Sequence, residues 1–129
     1  MKFMAKYVDG FVIPVSKDKI GEYRKMAKMG AKLWKKYGAL EYFECVGDDL
    51  SPKMGGGIKF MKFPQLVKAK PGETVVFSFI VYKSRAHRDA VNAKVMKDPM
   101  MSDPAWKNKP MPFDMKRMAY GGFKSIVEF

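Results

Sequence analysis

Ten consecutive residues, ETVVFSFIVY at positions 73–82, constrain the fold of this 129-residue chain more than any other segment. The run is nearly continuously apolar and rich in β-branched and aromatic residues, which is typical of a strand in the middle of a sheet. Three further segments have strand-like composition or alternation. We therefore predict strands at residues 6–15, 39–47, 73–82 and 115–125.

Two helix-like segments separate these strands. Apolar residues at helical spacing predict a first helix, with Ser16 as its N-cap and Gly38 as the residue that ends it. Gly30 inside this helix weakens it, but a small residue there lets another element pack closely. Ser84 is predicted to cap a second helix over residues 85–97, which Pro99 stops.

The order β-α-β-β-α-β is that of a ferredoxin-like α+β fold, and the length predicts one domain over residues 1–129. We expect a four-stranded antiparallel sheet in the order 4-1-3-2 with the helices on one face. Within it, crossover rules predict that the first and third strands are parallel neighbours. The other face is left bare and carries aromatic residues, so we predict a homodimer in which two sheets pack face to face.

Three local features refine this prediction. Pro14 lacks a ladder donor and is expected to close the first strand, and Gly10 marks a bulge or a close approach. The connection over residues 48–72 is long for a compact domain, and its glycines 55–57 favour a functional or mobile loop.

Composition narrows the function classes. The single cysteine, Cys45, excludes an internal disulfide, and we expect it to be a small buried residue in a cytoplasmic protein. The N-terminus has no signal-peptide pattern and no segment is long and apolar enough for the membrane, so no membrane association is expected. The net charge of +12 attracts polyanions, but the cations are spread along the chain and no nucleic-acid motif accompanies them.

Five motifs carry a resemblance to a known family: YVDGFV at 7–12, GDD at 47–49, ETVVFSFIVY at 73–82, MKDPMM at 96–101 and MPFDMKRMAYGGF at 111–123. With these the chain resembles the YbaA-like family of small bacterial proteins of unknown function. That family is similar to the dimeric α+β barrel superfamily, which includes antibiotic-biosynthesis monooxygenases, haem-degrading enzymes and YciI-like proteins. The resemblance implies a ferredoxin-like fold and a dimer, and it implies no reaction and no catalytic residues.

Candidate catalytic residues are the carboxylates predicted inside strands. Asp9 and Glu44 are costly there unless they are paired or hydrogen-bonded, and Arg117 lies on the predicted fourth strand beside the first. One hypothesis puts all three around a cavity inside the dimer barrel, with Asp9 or Glu44 as a general base and Arg117 holding an anionic ligand. The favoured alternative is structural: Asp9 pairs with Arg117 or caps a bulge at Gly10.

Candidate ligand-binding residues come from strands one and four: Tyr7, Arg117, Tyr120 and Gly121. Gly121 and Gly122 leave space on both sheet faces for a ligand or a partner strand, although a sheet-locking role is favoured. His87 is the single histidine and Asp48 with Asp49 offers too few ligands, so we expect no metal and no cofactor.

Three functions remain open from the sequence. The first is a small-molecule site for an acidic or aromatic metabolite, between sheet and helices or between subunits. If it is an enzyme, fold analogy favours a cofactor-free oxygenase or isomerase. The second is a basic nucleic-acid-associated protein, and the third is a structural or regulatory dimer without catalysis.

Overall fold

A computed structural model describes residues 4–129, apart from the side chains of residues 105 and 106. The N-terminal segment predicted to lack a signal peptide begins with residues 1–3, which lie outside the described residues. The strands are β1 (Tyr7–Ser16), β2 (Glu41–Val46), β3 (Glu73–Tyr82) and β4 (Ala119–Lys124). The helices are α1 (Ile20–Lys36), α2 (Phe63–Leu66), α3 (Arg85–Met96) and α4 (Pro104–Lys107).

The four strands form one antiparallel sheet in the order β2-β3-β1-β4, which confirms the predicted order. The predicted parallel pairing of the first and third strands is wrong, since β1 pairs with β3 in the antiparallel sense from Tyr7 opposite Tyr82 to Ser16 opposite Glu73. Both β1 and β2 are antiparallel to β3, so they run in the same direction on either side of it. The crossover through α1 therefore joins β1 to β2, and β3 fills the gap between them.

Three local expectations at the ends of elements are corrected. Pro14 does not close β1, which continues to Ser16. The pairing of β1 with β4 ends at Val12, so on that side Pro14 has no neighbouring strand to which a backbone N–H would have to donate. Ser16 makes no capping bond; its hydroxyl instead donates to Asp18, and a short 3₁₀ turn precedes α1. The fourth strand begins at Ala119 because residues 115–117 form a 3₁₀ turn.

Helices α1 and α3 cover one face of the sheet, here called the helix face. Ile13, Val15 and Val76 of the sheet pack there against Tyr23 and Ala27 of α1. A second cluster joins the sheet to α3 through Ile80 and Tyr82 with Leu33, Val91 and Val95. Ser84 caps α3 as predicted, accepting a bond from the amide of His87 at 3.1 Å.

The opposite face of the sheet, here called the open face, is not covered by α1 or α3. Alternation places Phe43, Phe77, Phe79 and Phe123 on this face. Phe43 is 49% exposed, Phe77 44% and Phe123 63%. Cys45 lies on the same face and is exposed, which corrects the expectation that it is buried. The aromatic open face expected from the sequence is thus present.

Candidate functional site

A half-open cleft of about 470 Å³ lies between α1 and the β2–β3 part of the helix face. Glu44 is its carboxylate, and it accepts a hydrogen bond from the Tyr23 hydroxyl at 2.6 Å on one oxygen and from the Tyr42 hydroxyl at 3.1 Å on the other. The rest of the lining is mainly apolar and includes Ile20, Ala27, Ala31, Val46 and Val76. We call these residues, with Arg24 and Lys28, the Glu44 cleft.

The cleft depends on a position of α1 that has no side chain. Tyr23 projects from the buried face of the helix toward β2. Tyr42 lies two residues before Glu44 on β2, so the side chains of Tyr42 and Glu44 point to the helix face of the sheet. Gly30 is buried in α1, and a Cβ there would lie 3.0 Å from the Tyr42 hydroxyl oxygen. The glycine therefore gives the Tyr42 hydroxyl the room it needs to reach Glu44, as the small-residue prediction anticipated.

Burial dominates the electrostatics of the cleft. It raises the pKa of Glu44 above the ordinary value, while the hydrogen bonds from Tyr23 and Tyr42 partly oppose this shift. Burial and the neighbouring Glu44 carboxylate also raise the pKa of both tyrosines, so they remain hydroxyl donors at neutral pH. A carboxyl group with a raised pKa, held between two hydroxyls beside an accessible space, is suited to exchange a proton with a ligand.

Two cations stand at the same cleft. Arg24 and Lys28 are exposed residues of α1 and contribute to the lining, one helical turn apart. They give the cleft a positive rim above a floor that holds one carboxyl group. A ligand with a carboxylate at one end and a hydrogen-bond donor at the other would match this distribution of charge.

Asp9 lies in a different cluster from Glu44. It is 1% exposed, and its carboxylate accepts a bond from the Arg88 guanidinium of α3 at 2.8 Å. Arg88 also contacts the Tyr120 hydroxyl at 3.2 Å and lies over the Tyr7 ring at 4.9 Å from its centroid. Burial raises the pKa of Asp9, and the charge of Arg88 and the bond from Tyr120 oppose that shift. Thus three of the predicted residues, Asp9, Tyr7 and Tyr120, meet around a guanidinium that the sequence did not single out.

Arg117 belongs to a third cluster and does not pair with Asp9. It lies in the turn before β4 rather than in the strand, and it binds Glu73 through two bonds of 2.6 and 2.8 Å. It also donates to Asp114 at 3.0 Å and to the Lys68 carbonyl at 3.1 Å. The Arg117 bonds lower the pKa of Glu73 to about 2. The structure therefore does not bring Asp9, Glu44 and Arg117 around one cavity, and this fork-to-fork pair fixes the segment before β4 to the start of β3.

Aromatic rings lie against the glycine pair before the C-terminus. Gly121 is opposite Gly10, and Cβ atoms added at these positions would meet the Phe123 ring at 3.7 and 3.5 Å. Gly10 was predicted to mark a bulge or the close approach of another backbone; instead β1 keeps a continuous register there, and the neighbour of Gly10 is this side-chain ring at ordinary contact distance. A Cβ at Gly122 would lie 2.3 Å from the Tyr7 hydroxyl oxygen. Within the MPFDMKRMAYGGF motif, Arg117 forms an ion pair with Glu73, and the glycine pair leaves room for the rings of Phe123 and Tyr7.

A second groove, of about 420 Å³, runs between α1 and the segment before β4. Methionines and one tryptophan dominate its lining: Met26, Met29, Met100, Met101, Met111 and Trp34. In the part of the chain that the structure describes, no group of three or more histidine, cysteine, aspartate or glutamate side chains could hold a metal ion. Nor does any helix among residues 4–129 have the length and apolar character to cross a membrane.

Several residues of these sites escaped the sequence analysis. From the sequence alone, Tyr23 and Tyr42 are expected to be core aromatic residues. Arg24 and Lys28 are not distinguished there from the other cations of the chain. Arg88 was missed because it is 79 positions from Asp9, and only the antiparallel pairing of β1 with β3 brings α3 over that strand. The usable signal for the Glu44 cleft was Gly30, a buried glycine in the middle of a helix.

Fold and clusters together define a ferredoxin-like α+β protein with a polar cleft between its sheet and first helix. The chain belongs to a family described as "Protein of unknown function (DUF1428)", which matches residues 6–115. It is 47% identical over 123 residues to the uncharacterised protein YbaA of Escherichia coli K12, covering 95% of this chain and 98% of that protein. The YbaA protein of Shigella flexneri matches to the same extent.

Among solved structures, the chain is similar to a dimeric ferredoxin-like protein from an uncultured marine organism. The TM-score is 0.57 with 15% sequence identity, and the match covers 97% of this chain and 99% of that chain. At this identity the likeness shows the fold alone, and it agrees with the fold class predicted from the sequence.

Proposed function

We propose that this protein is a cytoplasmic homodimer in which each subunit binds a small aromatic carboxylic acid in its Glu44 cleft. The observation that carries the proposal is the Glu44 carboxyl group, bonded by two tyrosine hydroxyls in an open, mainly apolar cleft with Arg24 and Lys28 at its rim. A volume of about 470 Å³ lies in the range of small-molecule sites, which are largely apolar with a few orienting polar groups.

The ligand class follows from the ends of the cleft. The guanidinium of Arg24 and the ammonium of Lys28 favour a carboxylate, and the apolar walls favour a ring. Glu44 is an acceptor when ionised, so a hydroxyl at the far end of the ligand would donate to it. The same contact would bring an acidic ligand proton within reach of a carboxyl group with a raised pKa, which is the requirement for general base chemistry.

Self-association is supported by the open face. The three half-exposed phenylalanines on this sheet face form an apolar surface of the kind that marks an interaction site. The dimeric ferredoxin-like neighbour shares the fold. Packing two open faces together would bury these rings and would leave both Glu44 clefts on the outer, helix sides.

Binding is tested with 4-hydroxyphenylacetate as the probe, followed by amide chemical shifts of the 15N-labelled protein. We expect saturable shifts confined to residues 20–31 and 42–46, and none with tyramine, which has the same phenol but a cation in place of the carboxylate. Replacing Arg24 and Lys28 by glutamine should weaken binding about tenfold, the value of one charge-assisted contact. Glutamines at Lys53 and Lys59, which make the same change of net charge away from the cleft, should leave it unchanged.

Shifts spread over the surface, or equal binding of tyramine, would contradict the proposal. The dimer is tested separately by sedimentation velocity, where we expect twice the 14.7 kDa of the chain. Phe77→Glu should give a monomer, because it places a charge in the centre of the open face. Met96→Glu, an exposed apolar position on α3, is the matched control and should leave the dimer intact.

A further inference from the structure

We infer that the outward side of α1 is a docking surface for the phosphate backbone of double-stranded nucleic acid, bound without sequence preference. The inference rests on how the cations of α1 are arranged and is independent of the Glu44 cleft proposal. The six cations of the helix are exposed: Arg24, Lys25, Lys28, Lys32, Lys35 and Lys36. We call this set the α1 basic face.

Helical geometry concentrates these cations on one side. At 100° per residue the six positions fall within an arc of about 120°, and the stretch from Arg24 to Lys36 is about 18 Å long. Glu22, the acidic residue of α1, lies just outside the arc, and Gly21 is the small residue inside it. In the sequence the cations are spread along the whole chain, whereas the structure places six of the 25 lysines and arginines on one side of a single helix.

This arrangement does not benefit the fold of the helix. Lysines that are three or four positions apart repel each other, as do Lys28 with Lys32 and Lys32 with Lys36. A solvated helix face gains more from alternating signs, which the α1 basic face lacks. The structure pairs Lys36 with Asp98 at 3.0 Å. Apart from this pair at Lys36, the like charges of the α1 basic face repel each other and so cost stability, and such a set indicates an external polyanion.

Three features of the face favour nucleic acid over other polyanionic partners. The apolar side of α1, with Tyr23, Ala27 and Leu33, is buried against the sheet, so the helix cannot insert into a lipid interface. Protein interfaces are depleted in lysine and use aromatic anchors, neither of which fits this face. No aromatic residue is exposed on α1, since Tyr23 is buried and Trp34 half-buried, so this surface offers no ring for base stacking, which favours a duplex backbone over a single strand.

The test is fluorescence anisotropy of a labelled 20-base-pair DNA duplex titrated with the full-length protein between 50 and 300 mM KCl. Five or six phosphate contacts predict a plot of log affinity against log salt with a slope of about −4.5 to −5.4. The variant Lys25→Gln/Lys32→Gln/Lys35→Gln avoids the two residues of the Glu44 cleft and should reduce that slope to roughly half. Both single-stranded oligothymidylate and phosphatidylserine vesicles serve as competing ligands.

The control variant Lys53→Gln/Lys59→Gln/Lys97→Gln has the same net charge, +12 minus 3, with the α1 basic face intact. It should retain a slope within about one unit of the unmodified protein. Equal loss of slope in both triple variants would show that binding follows net charge, and the docking surface would be refuted. Stronger binding to the vesicles or to the single strand than to the duplex would also refute it.

Discussion

The buried ion pair between Asp9 and Arg88 is the interaction whose removal the structure predicts to be most damaging. The Asp9 side chain is 2% exposed and the Arg88 side chain 14%, and the two are joined at 2.8 Å. Arg88→Met keeps the approximate length of the side chain but leaves the buried Asp9 carboxylate without its cationic partner. Breaking one side of a buried pair costs about 3 to 5 kcal/mol, a large part of the roughly 5 to 15 kcal/mol that stabilises a typical domain.

Urea unfolding at one fixed protomer concentration measures this loss, since association would otherwise shift the midpoint. With a slope of about 2 kcal/mol per molar, the midpoint of Arg88→Met should fall by roughly 2 M. The double variant Asp9→Asn/Arg88→Met removes both charges, and most of the lost free energy of unfolding should return. The coupling between the two positions is therefore expected to exceed about 2 kcal/mol.

The pH dependence gives a second readout of the same pair. Burial raises the pKa of Asp9 in the folded protein above its unfolded value, and removing Arg88 removes the charge that opposes this shift. A carboxyl group with a raised folded pKa stabilises the fold below its unfolded pKa, and that stability is lost as the pH rises through the folded pKa. Arg88→Met should thus lose less stability at pH 4 than at pH 7. Additive effects of the two substitutions, or a loss that does not vary with pH, would refute the reasoning.

Three further perturbations test other parts of the structure. Gly122→Ala forces a Cβ to within 2.3 Å of the Tyr7 hydroxyl and should cost about 1 to 3 kcal/mol in urea unfolding, whereas Gly121→Ala, with ordinary contacts, should be nearly neutral. Gly21→Ala has nothing within 4 Å of the new Cβ and should raise the unfolding free energy by about 1 kcal/mol. Glu44→Gln should stabilise the protein relative to the unmodified chain more at pH 8 than at pH 5, because the raised pKa of Glu44 makes its ionisation unfavourable in the fold; an effect equal at both pH values would contradict this.

The sequence predicted most accurately those elements whose position depends on a single local property, such as continuous hydrophobicity. The bounds of β3, Glu73–Tyr82, were predicted to the residue because this central strand is a nearly continuous apolar run bounded by turn residues. The edges were predicted less well: β4 begins four residues later than expected, since Asp114 caps a turn by accepting from the amide of Lys116. Pairing direction depends on the path of the whole chain, which explains the error over β1 and β3.

The candidate site was predictable only in part for a similar reason. A carboxylate inside a strand is visible in the sequence, and both Asp9 and Glu44 prove to be hydrogen-bonded as their cost requires. Tyr42 is a neighbour of Glu44 on β2, but Tyr23 and Arg88 come from helices, and the placement of each helix on the sheet decides which of its side chains reaches the carboxylate. Arg88 and Arg117 could not be distinguished as partners of Asp9 until the position of α3 was known.

Arg24 and Lys28 belong to both the Glu44 cleft and the α1 basic face, and this sharing links the two proposals. A carboxylate bound between them carries one negative charge and would neutralise one of the six positive charges that a duplex can contact. By reciprocity, the duplex should weaken binding of the acid by the same factor. We expect saturating 4-hydroxyphenylacetate to reduce the salt slope for the duplex by about one unit, measured by anisotropy. An unchanged slope, with the acid bound in the cleft, would mean that the duplex contacts only the Lys25, Lys32 and Lys36 side of α1.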